Sequence, residues 1–291
     1  MNLLVNRYEE VTFERLRPIC EKNGAIVFSK VRLKDALPVE KSGVNAEDYR
    51  FCLQAHVDFL VTNRDYKILF AVEFDGPRHQ DAEQAKRDQR KDSLCRRFDL
   101  SLLRIKKDYL DRIFRDWDLL SYCVEVWFMN EAFYDAQKAG MIPLEEDFDP
   151  WLVMSDGHSE KKFPFWLSVD SQNALLRLAR KGKLAESIPS HWVGLDANET
   201  YRCLCWIKVR PGEFAVVATG MRSQQFPIME SDLISQIATC DLHDRVVRIL
   251  AGMESATAEG DFEKKLSAYQ AKFEMRASGG CGIYFPAGKP G

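Results

Sequence analysis

Two apolar runs in the first third of the chain, residues 53–62 and 67–76, are rich in β-branched and aromatic residues. A polar link, residues 63–66, separates them. Short runs of this composition on either side of a polar turn are typical of a β-hairpin. The pattern therefore predicts two neighbouring strands joined by a tight connection.

Each of these predicted strands carries acids between its apolar residues. Side chains alternate between the two faces of a strand, so Glu73 and Asp75 share one face of the second strand, while Asp58 lies with His56 in the first. A buried carboxylate has to pair, bind a cation or take up a proton. Singly, Asp58 could form an ion pair and Asp75 could cap the following turn. Three converging acids instead favour Mg²⁺, which takes one or two carboxylates together with waters and phosphate oxygens.

Apolar periodicity predicts further elements around the hairpin, and together they make up a first domain, residues 1–139. Residues 34–49 are polar and contain a proline and a glycine, which predicts a loop. Residues 140–150 are acidic and hold two prolines, which predicts the domain boundary. The other predicted elements of this domain are helices at 7–20, 81–97 and 109–138 and strands at 25–33 and 100–105.

The second half of the chain, residues 150–291, is predicted to be a separate α+β domain of unknown role. It could recognise a substrate, bind a protein partner or form a homo-oligomer, and the sequence does not choose among these. Its predicted elements are helices at 171–184, 232–253 and 262–275, a hairpin at 201–219 and a loose tail at 277–291.

The motifs of the first domain resemble a known family when they are taken together. They are His-Val-Asp-Phe at 56–59, Val-Glu-Phe-Asp-Gly at 72–76, His79, Arg87-Asp88 and Leu-Leu-Arg-Ile at 102–105. This set resembles the PD-(D/E)XK nuclease superfamily, and more narrowly the branch related to very-short-patch-repair and restriction-type endonucleases. The resemblance covers roughly the first third of the chain. It implies an α/β fold with a restriction-endonuclease-like mixed central sheet flanked by helices.

The resemblance also implies an active site. The metal, Mg²⁺ or Mn²⁺, would be held by Asp58, Glu73 and an acid on the first helix, where Glu9 fits best by position and Glu10 second, although both could be exposed helix acids. Asp75 would support this cluster. The usual Glu-x-Lys is Glu73-x-Asp75 here, so no lysine stands in its usual place.

Three further residues could complete the site. Lys91 and Arg87 lie one helical turn apart, and one of them could supply the charge of the missing lysine. His79 follows the second strand and could act as general base, general acid or hydrogen-bonding partner of a ligand.

Charge is distributed unevenly along the chain. The whole protein has 291 residues, of which 29% are charged, and a net charge of -3, which gives no general attraction to nucleic acid. Residues 78–107, by contrast, hold ten Lys or Arg against five Asp or Glu. A basic face beside an acidic metal site suits a phosphate backbone. We expect Arg87, Lys91 and Arg104 to contact DNA, with RNA as an alternative; Arg104 could equally be the internal partner of one of the acids.

The remaining composition points to an ordinary protein of the cytoplasm. The eight cysteines are scattered without a CxxC pair, which favours a reducing compartment. No apolar run reaches 18 residues and the N-terminus lacks the features of a signal peptide, so we expect no membrane association.

The sequence thus predicts a metal-dependent endonuclease that acts on DNA in repair, restriction or defence. The alternative is a catalytically inactive nuclease-like module that binds nucleic acid or protein, with its acids serving structure. A third possibility places the activity in the C-terminal half, with the first domain as its targeting device.

Overall fold

The computed structural model of the protein describes residues 7–76, 82–149 and 166–280. The chain divides into two compact units, Met1–Val153 with Gln224–Ile228, and Met154–Ser223 with Met229–Gly291. The predicted boundary between residues 139 and 150 did not anticipate that five residues from the second half join the first unit. Within the described ranges, no helix is long and apolar enough to cross a membrane.

The first unit is built on a four-stranded mixed sheet with the order β1-β2-β3-β4. The pairs β1–β2 and β2–β3 are antiparallel, and β3–β4 is parallel with a helix as its crossover. This confirms the predicted α/β fold, and β2 and β3 form the predicted hairpin. The elements are α1 (Arg7–Lys22), β1 (Ile26–Arg32), α2 (Leu33–Ala36), α3 (Ala46–Gln54), β2 (His56–Thr62), β3 (Ile68–Phe74), α4 (Ala82–Arg97), β4 (Ser101–Ile105), α5 (Lys107–Asp111), β5 (Ile113–Phe114), β6 (Trp117–Asp118) and α6 (Leu119–Lys138).

Apolar side chains cover both faces of this sheet. On one face Phe59 stacks with Phe13 of α1, and Phe70 packs against Trp127 of α6. The next residue along each strand points the other way. The opposite face therefore packs towards α2, α3 and α4, in a buried cluster that includes Leu60, Ala71, Leu94, Cys95 and Leu102. Asp58 and Glu73 are two residues from Leu60 and Ala71, so they belong to this second face.

Two predictions for the first unit were wrong in detail. The predicted loop 34–49 contains most of α2 and the start of α3. The N-terminus of α3 is capped by the Asn45 side chain, which accepts from the Asp48 backbone N–H. The predicted helix 109–138 is interrupted before α6. Arg115 and Asp116 have φ values of 51° and 71°, and this left-handed turn joins β5 to β6.

The second unit holds a five-stranded antiparallel sheet with the order β10-β9-β8-β7-β11. Strands β8 and β9 confirm the predicted hairpin, and helices confirm three of the predicted segments. The predicted loose tail was wrong in its first residues, because residues 277–279 pair with β7. The elements are α7 (Val169–Arg180), β7 (Ser190–Leu195), β8 (Thr200–Arg210), β9 (Glu213–Arg222), α8 (Glu230–Leu250), β10 (Thr257–Ala258), α9 (Glu259–Lys272) and β11 (Glu274–Gly279).

The segment Gln224–Ile228 completes the first unit at the β4 edge of its sheet. The Gln224 side-chain oxygen accepts from the Arg104 backbone N–H at 2.8 Å, and its amide donates to the Arg104 carbonyl at 3.0 Å. Phe226 meets the Phe70 ring edge-on, with 5.2 Å between the ring centroids. These two hydrogen bonds, which we call the clasp of Gln224 on Arg104, therefore fix the backbone around Arg104.

Candidate active site

A cleft of about 540 Å³ in the first unit brings together side chains from α1, β1, β2, β3 and α4. Five predicted site residues line it, namely Glu9, Asp58, Glu73, Arg87 and Lys91. Asp75 and Arg104 are not among its lining residues, and His79 lies outside the described residues. Residues separated by up to about eighty positions thus meet in one concave surface, the usual form of a ligand site.

The hairpin register places two of the acids side by side. Phe59 is paired with Val72 in the antiparallel ladder, and continuing this register by one residue sets Asp58 opposite Glu73. One carboxylate oxygen of Asp58 accepts from the backbone N–H of Phe74 at 2.9 Å, which fixes its orientation across the hairpin. Two neighbouring carboxylates therefore face the cleft.

Glu73 is paired with a lysine that reaches across from α4. Lys91 Nζ lies 2.6 Å from Glu73 Oε1 and donates to the His56 carbonyl at 2.7 Å. Both side chains are largely buried, with 12% of Lys91 and 8% of Glu73 exposed. Burial raises the pKa of Glu73, and the charge of Asp58 adds to this, while Lys91 and Arg104 act in the opposite direction. Lys91, a residue of α4, thus lies beside Glu73, whose own strand lacks the lysine of the usual Glu-x-Lys motif.

Arg87 has a different setting from Lys91, although both are on α4. Its side chain is exposed at the rim of the cleft, and its guanidinium lies 5.9 Å from the centroid of the Phe51 ring. Such a contact holds the planar cation over the ring without neutralising it. Arg87 is therefore an exposed cation at the rim of the cleft, whereas Lys91 is a buried cation inside it.

Lys30 is a site residue that the sequence did not single out. Its Nζ lies 2.8 Å from Glu9 Oε1 and 2.6 Å from Asp58 Oδ1. Although burial lowers the pKa of Lys30, the hydrogen bonds to Asp58 and Glu9 raise it further. Within a predicted strand this lysine carried no distinguishing signal, because its pairing with Asp58 depends on the β1–β2 register.

The backbone at Lys30 is also unusual. Its φ is 56°, the left-handed region, in the interior of β1. The ladder pairs Ser29 with Phe59 and Val31 with Val57, which leaves Lys30 across from Asp58. A non-glycine residue held in this region costs on the order of 1–3 kcal/mol, and such strain tends to occur at functional sites.

Arg104 lies behind the cleft, inside a cluster of carboxylates. Its side chain is 3% exposed, with Nη1 2.8 Å from Asp75 and Nε 2.7 Å from Asp92. Glu73 and Asp88 lie at 3.6 and 3.8 Å. Burial lowers the pKa of Arg104, but these four carboxylates raise it more. The structure therefore replaces the predicted phosphate contact of Arg104 with its alternative, the internal ion partner.

The same cluster changes the role of Asp75. Asp75 contacts Arg104 at 2.8 Å and is not among the residues that line the cleft, so the guanidinium of Arg104 links it to Glu73. Asp88, by contrast, lines the cleft and accepts from the Gln84 amide at 3.1 Å. The i,i+4 spacing of Asp88 and Asp92 on α4 was the signal that could have identified this cluster from the sequence.

The donor set fits a hard divalent cation, although it is small. Among the described residues, no three His, Cys, Asp or Glu side chains lie close enough to hold an ion together. Asp58 and Glu73 nevertheless suffice for Mg²⁺, which keeps several waters and takes phosphate oxygens from its substrate. Carboxylates also outnumber cations in the cleft and the Arg104 cluster: Glu9, Asp58, Glu73, Asp75, Asp88 and Asp92 stand against Lys30, Arg87, Lys91 and Arg104.

Comparison with known proteins gives a family without an assigned activity. The model of a family described as a protein of unknown function (DUF2726) matches residues 1–116. No curated protein and no solved structure matches the chain. The matched region extends from α1 through β5 and contains every described residue of the first unit that lines the cleft.

Proposed function

We propose that the first unit is a metal-dependent endonuclease that hydrolyses phosphodiester bonds of DNA. The observation that carries this proposal is the cleft in which Asp58 and Glu73 lie on adjacent strands with Lys91 beside them. The mixed sheet flanked by helices agrees with what the resemblance implies. Mg²⁺ or Mn²⁺ is the cofactor, with Asp58 and Glu73 as its ligands and Glu9 as a supporting acid.

The residues of the cleft have different roles in the proposed hydrolysis. The metal would activate a bound water and offset charge on the phosphate. Lys91 uses two of its three N–H groups on Glu73 and the His56 carbonyl, so the third is available to a phosphate oxygen. Arg87 at the rim binds the DNA backbone, where its exposed guanidinium meets phosphates without displacing a buried partner.

The proton transfers need a separate group. As the water oxygen bonds to phosphorus, the bond to the leaving oxygen breaks; water gives up a proton and the leaving oxygen gains one. His79 remains the predicted carrier. His56 is a second candidate, because its exposed side chain lines the cleft next to Asp58.

The direct test is incubation of the full-length protein with DNA in the presence of Mg²⁺ or Mn²⁺. Plasmid, linear duplex, single-stranded and mismatched DNA separate the candidate roles, since preferential cutting of mismatched DNA favours repair and cutting of intact duplex favours restriction or defence. Asp58→Asn and Glu73→Gln should each lower cleavage by roughly 10²–10³-fold.

Asp65→Asn is the matched control, because Asp65 is exposed in the hairpin turn and is not among the cleft residues. It should cleave like the wild type. Cleavage that survives in both Asp58→Asn and Glu73→Gln would show that these acids do not form the active site.

A second candidate function is a nuclease-like module that binds nucleic acid without cutting it. Its support is that Lys30 and Lys91 already neutralise Asp58 and Glu73. DNA binding without cleavage or metal binding by the wild type would favour this candidate. For either function we propose the reducing cytoplasm as the compartment, where the seven described cysteines would keep their free thiols.

A further inference from the structure

We propose that Lys30 is a built-in competitor of the metal: it occupies the carboxylates of Asp58 and Glu9 until a divalent cation displaces it, and it then binds the substrate phosphate. This inference rests on the proposed function, because it concerns how the same site is loaded. It gives a role to a residue that neither the sequence motifs nor the family resemblance includes.

The position of the ammonium group carries the first step. Lys30 Nζ bridges Asp58 Oδ1 and Glu9 Oε1, at 2.6 and 2.8 Å. These are oxygens that a cation held by Asp58 would use. A metal ion bound to the same carboxylates would lie close to the ammonium group, and the repulsion between the two cations makes each of them weaken the binding of the other.

The backbone shows that this placement is not incidental. Seven described non-glycine residues have positive φ, and Lys30 is the one inside a strand, whereas the others lie in turns, bends and connections. The left-handed conformation is unfavourable for a lysine in a strand. The fold therefore holds Lys30 where its side chain meets both acids.

Release of Lys30 is sterically simple. Its side chain is 40% exposed, whereas Lys91 is 12% exposed and has a second acceptor in the His56 carbonyl. Of the two lysines, Lys30 is therefore the one that can leave its carboxylates for solvent or for a phosphate in the cleft. Lys91 stays in place as the interior cation.

The exchange couples metal and substrate. When the cation takes Asp58, the freed ammonium group lies beside it at the cleft wall, where a phosphate is the available anion. DNA then strengthens metal binding, because it gives Lys30 a new partner, and by linkage the metal strengthens DNA binding by the same factor.

The test is titration of Mn²⁺ into the full-length protein without DNA, measured by calorimetry. Lys30→Met removes the ammonium and should tighten Mn²⁺ binding about tenfold or more. Lys30→Gly also removes it and suits the positive φ, so it should give the same gain even if Lys30→Met folds poorly. Lys22→Met is the control: Lys22 pairs with Glu125 at 3.0 Å, away from the cleft residues, and its loss should leave Mn²⁺ affinity unchanged.

A second measurement concerns the coupling. In the wild type, a short non-cleavable DNA should raise Mn²⁺ affinity; in Lys30→Met this increase should shrink several-fold, and Lys30→Arg should restore part of it. A merely structural role of Lys30 would weaken metal binding when the residue is removed, and it would not tighten it.

The outcomes separate the two proposals. Mn²⁺ binding that is equal or weaker in both Lys30 variants, with a wild type that binds, overturns the competitor role and leaves the proposed function intact. No Mn²⁺ binding by the wild type or either variant overturns the metal-dependent function and the competitor role together.

Discussion

The first unit buries seven acidic or basic side chains among its described residues, whereas the buried polar side chains described in the second unit are all neutral. The charged set of the first unit is Glu9, Glu73, Asp88, Asp92, Arg104, Asp118 and Glu125, and the neutral set of the second is Ser168, Ser190, Gln236 and Thr239. Both units pack helices on a sheet, so the difference does not follow from architecture. It follows from what the buried groups do.

Two of the buried neutral side chains in the second unit bond to backbone groups. Gln236 accepts from the Leu167 N–H at 2.6 Å, and the Thr239 hydroxyl donates to the Ser235 carbonyl at 2.8 Å. Such contacts satisfy buried donors and acceptors without the desolvation cost of an ion.

In the first unit only two of the seven charged groups have a comparable structural role. Asp118 caps α6 by accepting from the Ser121 N–H, and Glu125 pairs with Lys22. The other five belong to the cleft or to the Arg104 cluster. Buried ion pairs are weak evidence for stability, because desolvation offsets their attraction. Their concentration in the cleft and in the Arg104 cluster is what the proposed function would explain.

The largest expected effect is the loss of Arg104. Arg104→Met leaves Asp75 and Asp92 without their buried guanidinium, and we expect the first unit to lose about 3–5 kcal/mol of unfolding free energy. Arg202→Met in the second unit is the matched control, because Arg202 is 41% exposed in its pair with Asp196, and such pairs contribute about 0–1 kcal/mol. Urea unfolding of both variants makes the comparison. Similar losses would remove the contrast between the units.

The next effect concerns catalysis by the interior lysine. Lys91→Met should lower the cleavage rate roughly 10²-fold, because the buried cation beside Glu73 is removed from the phosphate. Lys86→Met is the control, since Lys86 is exposed on the same helix and is not among the cleft residues. Single-turnover cleavage at saturating DNA measures the rate. A normal rate in a folded Lys91→Met protein would make this lysine a structural ion partner.

A smaller effect is expected at the rim. Arg87→Ala should weaken DNA binding for all sequences and reduce the slope of log affinity against log salt by about 1, as expected for one lost phosphate contact. Arg90→Ala is the control, because Arg90 also stacks on Phe51 but is already paired with Glu47 and Asp48. The measurement is DNA affinity at several salt concentrations. Equal slopes for the wild type and Arg87→Ala would show that Arg87 does not contact DNA.

The smallest effect is a pH dependence of the second unit. Burial lowers the pKa of His191, and the charge of Asp232 only partly offsets this. The unfolded chain therefore binds the proton more readily, so the stabilising contribution is present above the ordinary histidine pKa and is lost as pH falls through the lowered folded value. Unfolding at pH 7 and pH 5 should show less acid sensitivity in His191→Gln than in wild type. An unchanged pH profile would contradict this.

The sequence predicted those parts of the first unit whose signals are local. The apolar runs of β2 and β3 and the charged helix α4 were recognisable from their composition, and with them the positions of Asp58, Glu73 and Lys91. The loop at 34–49 was wrong because the short α3 is specified by its cap at Asn45 more than by periodicity. The break before α6 was missed because Arg115 gives no sign of a left-handed turn.

The parts of the site that the sequence did not predict depend on contacts between residues that are far apart in the chain. Arg104 was predicted either to contact phosphate or to pair with an internal acid. The choice depends on where α4 places Asp88 and Asp92 relative to β4, and no local sequence pattern gives that position. Lys30 was missed for the same reason, because its partner Asp58 comes from another strand and its own neighbours are ordinary strand residues. Electrostatic partners that meet only in the folded chain leave no periodic signal.

The clasp of Gln224 on Arg104 has a consequence for the order of events on the ribosome. These two residues are 120 positions apart in the chain. At about 5–20 residues per second, translation needs roughly 6–24 s to cover that distance. Until then the nascent β4 edge lacks the partners that Gln224 and Gln225 supply to Arg104 and Leu102. An open sheet edge can pair with another chain, so the newly made first unit passes through an interval in which it is vulnerable to aggregation.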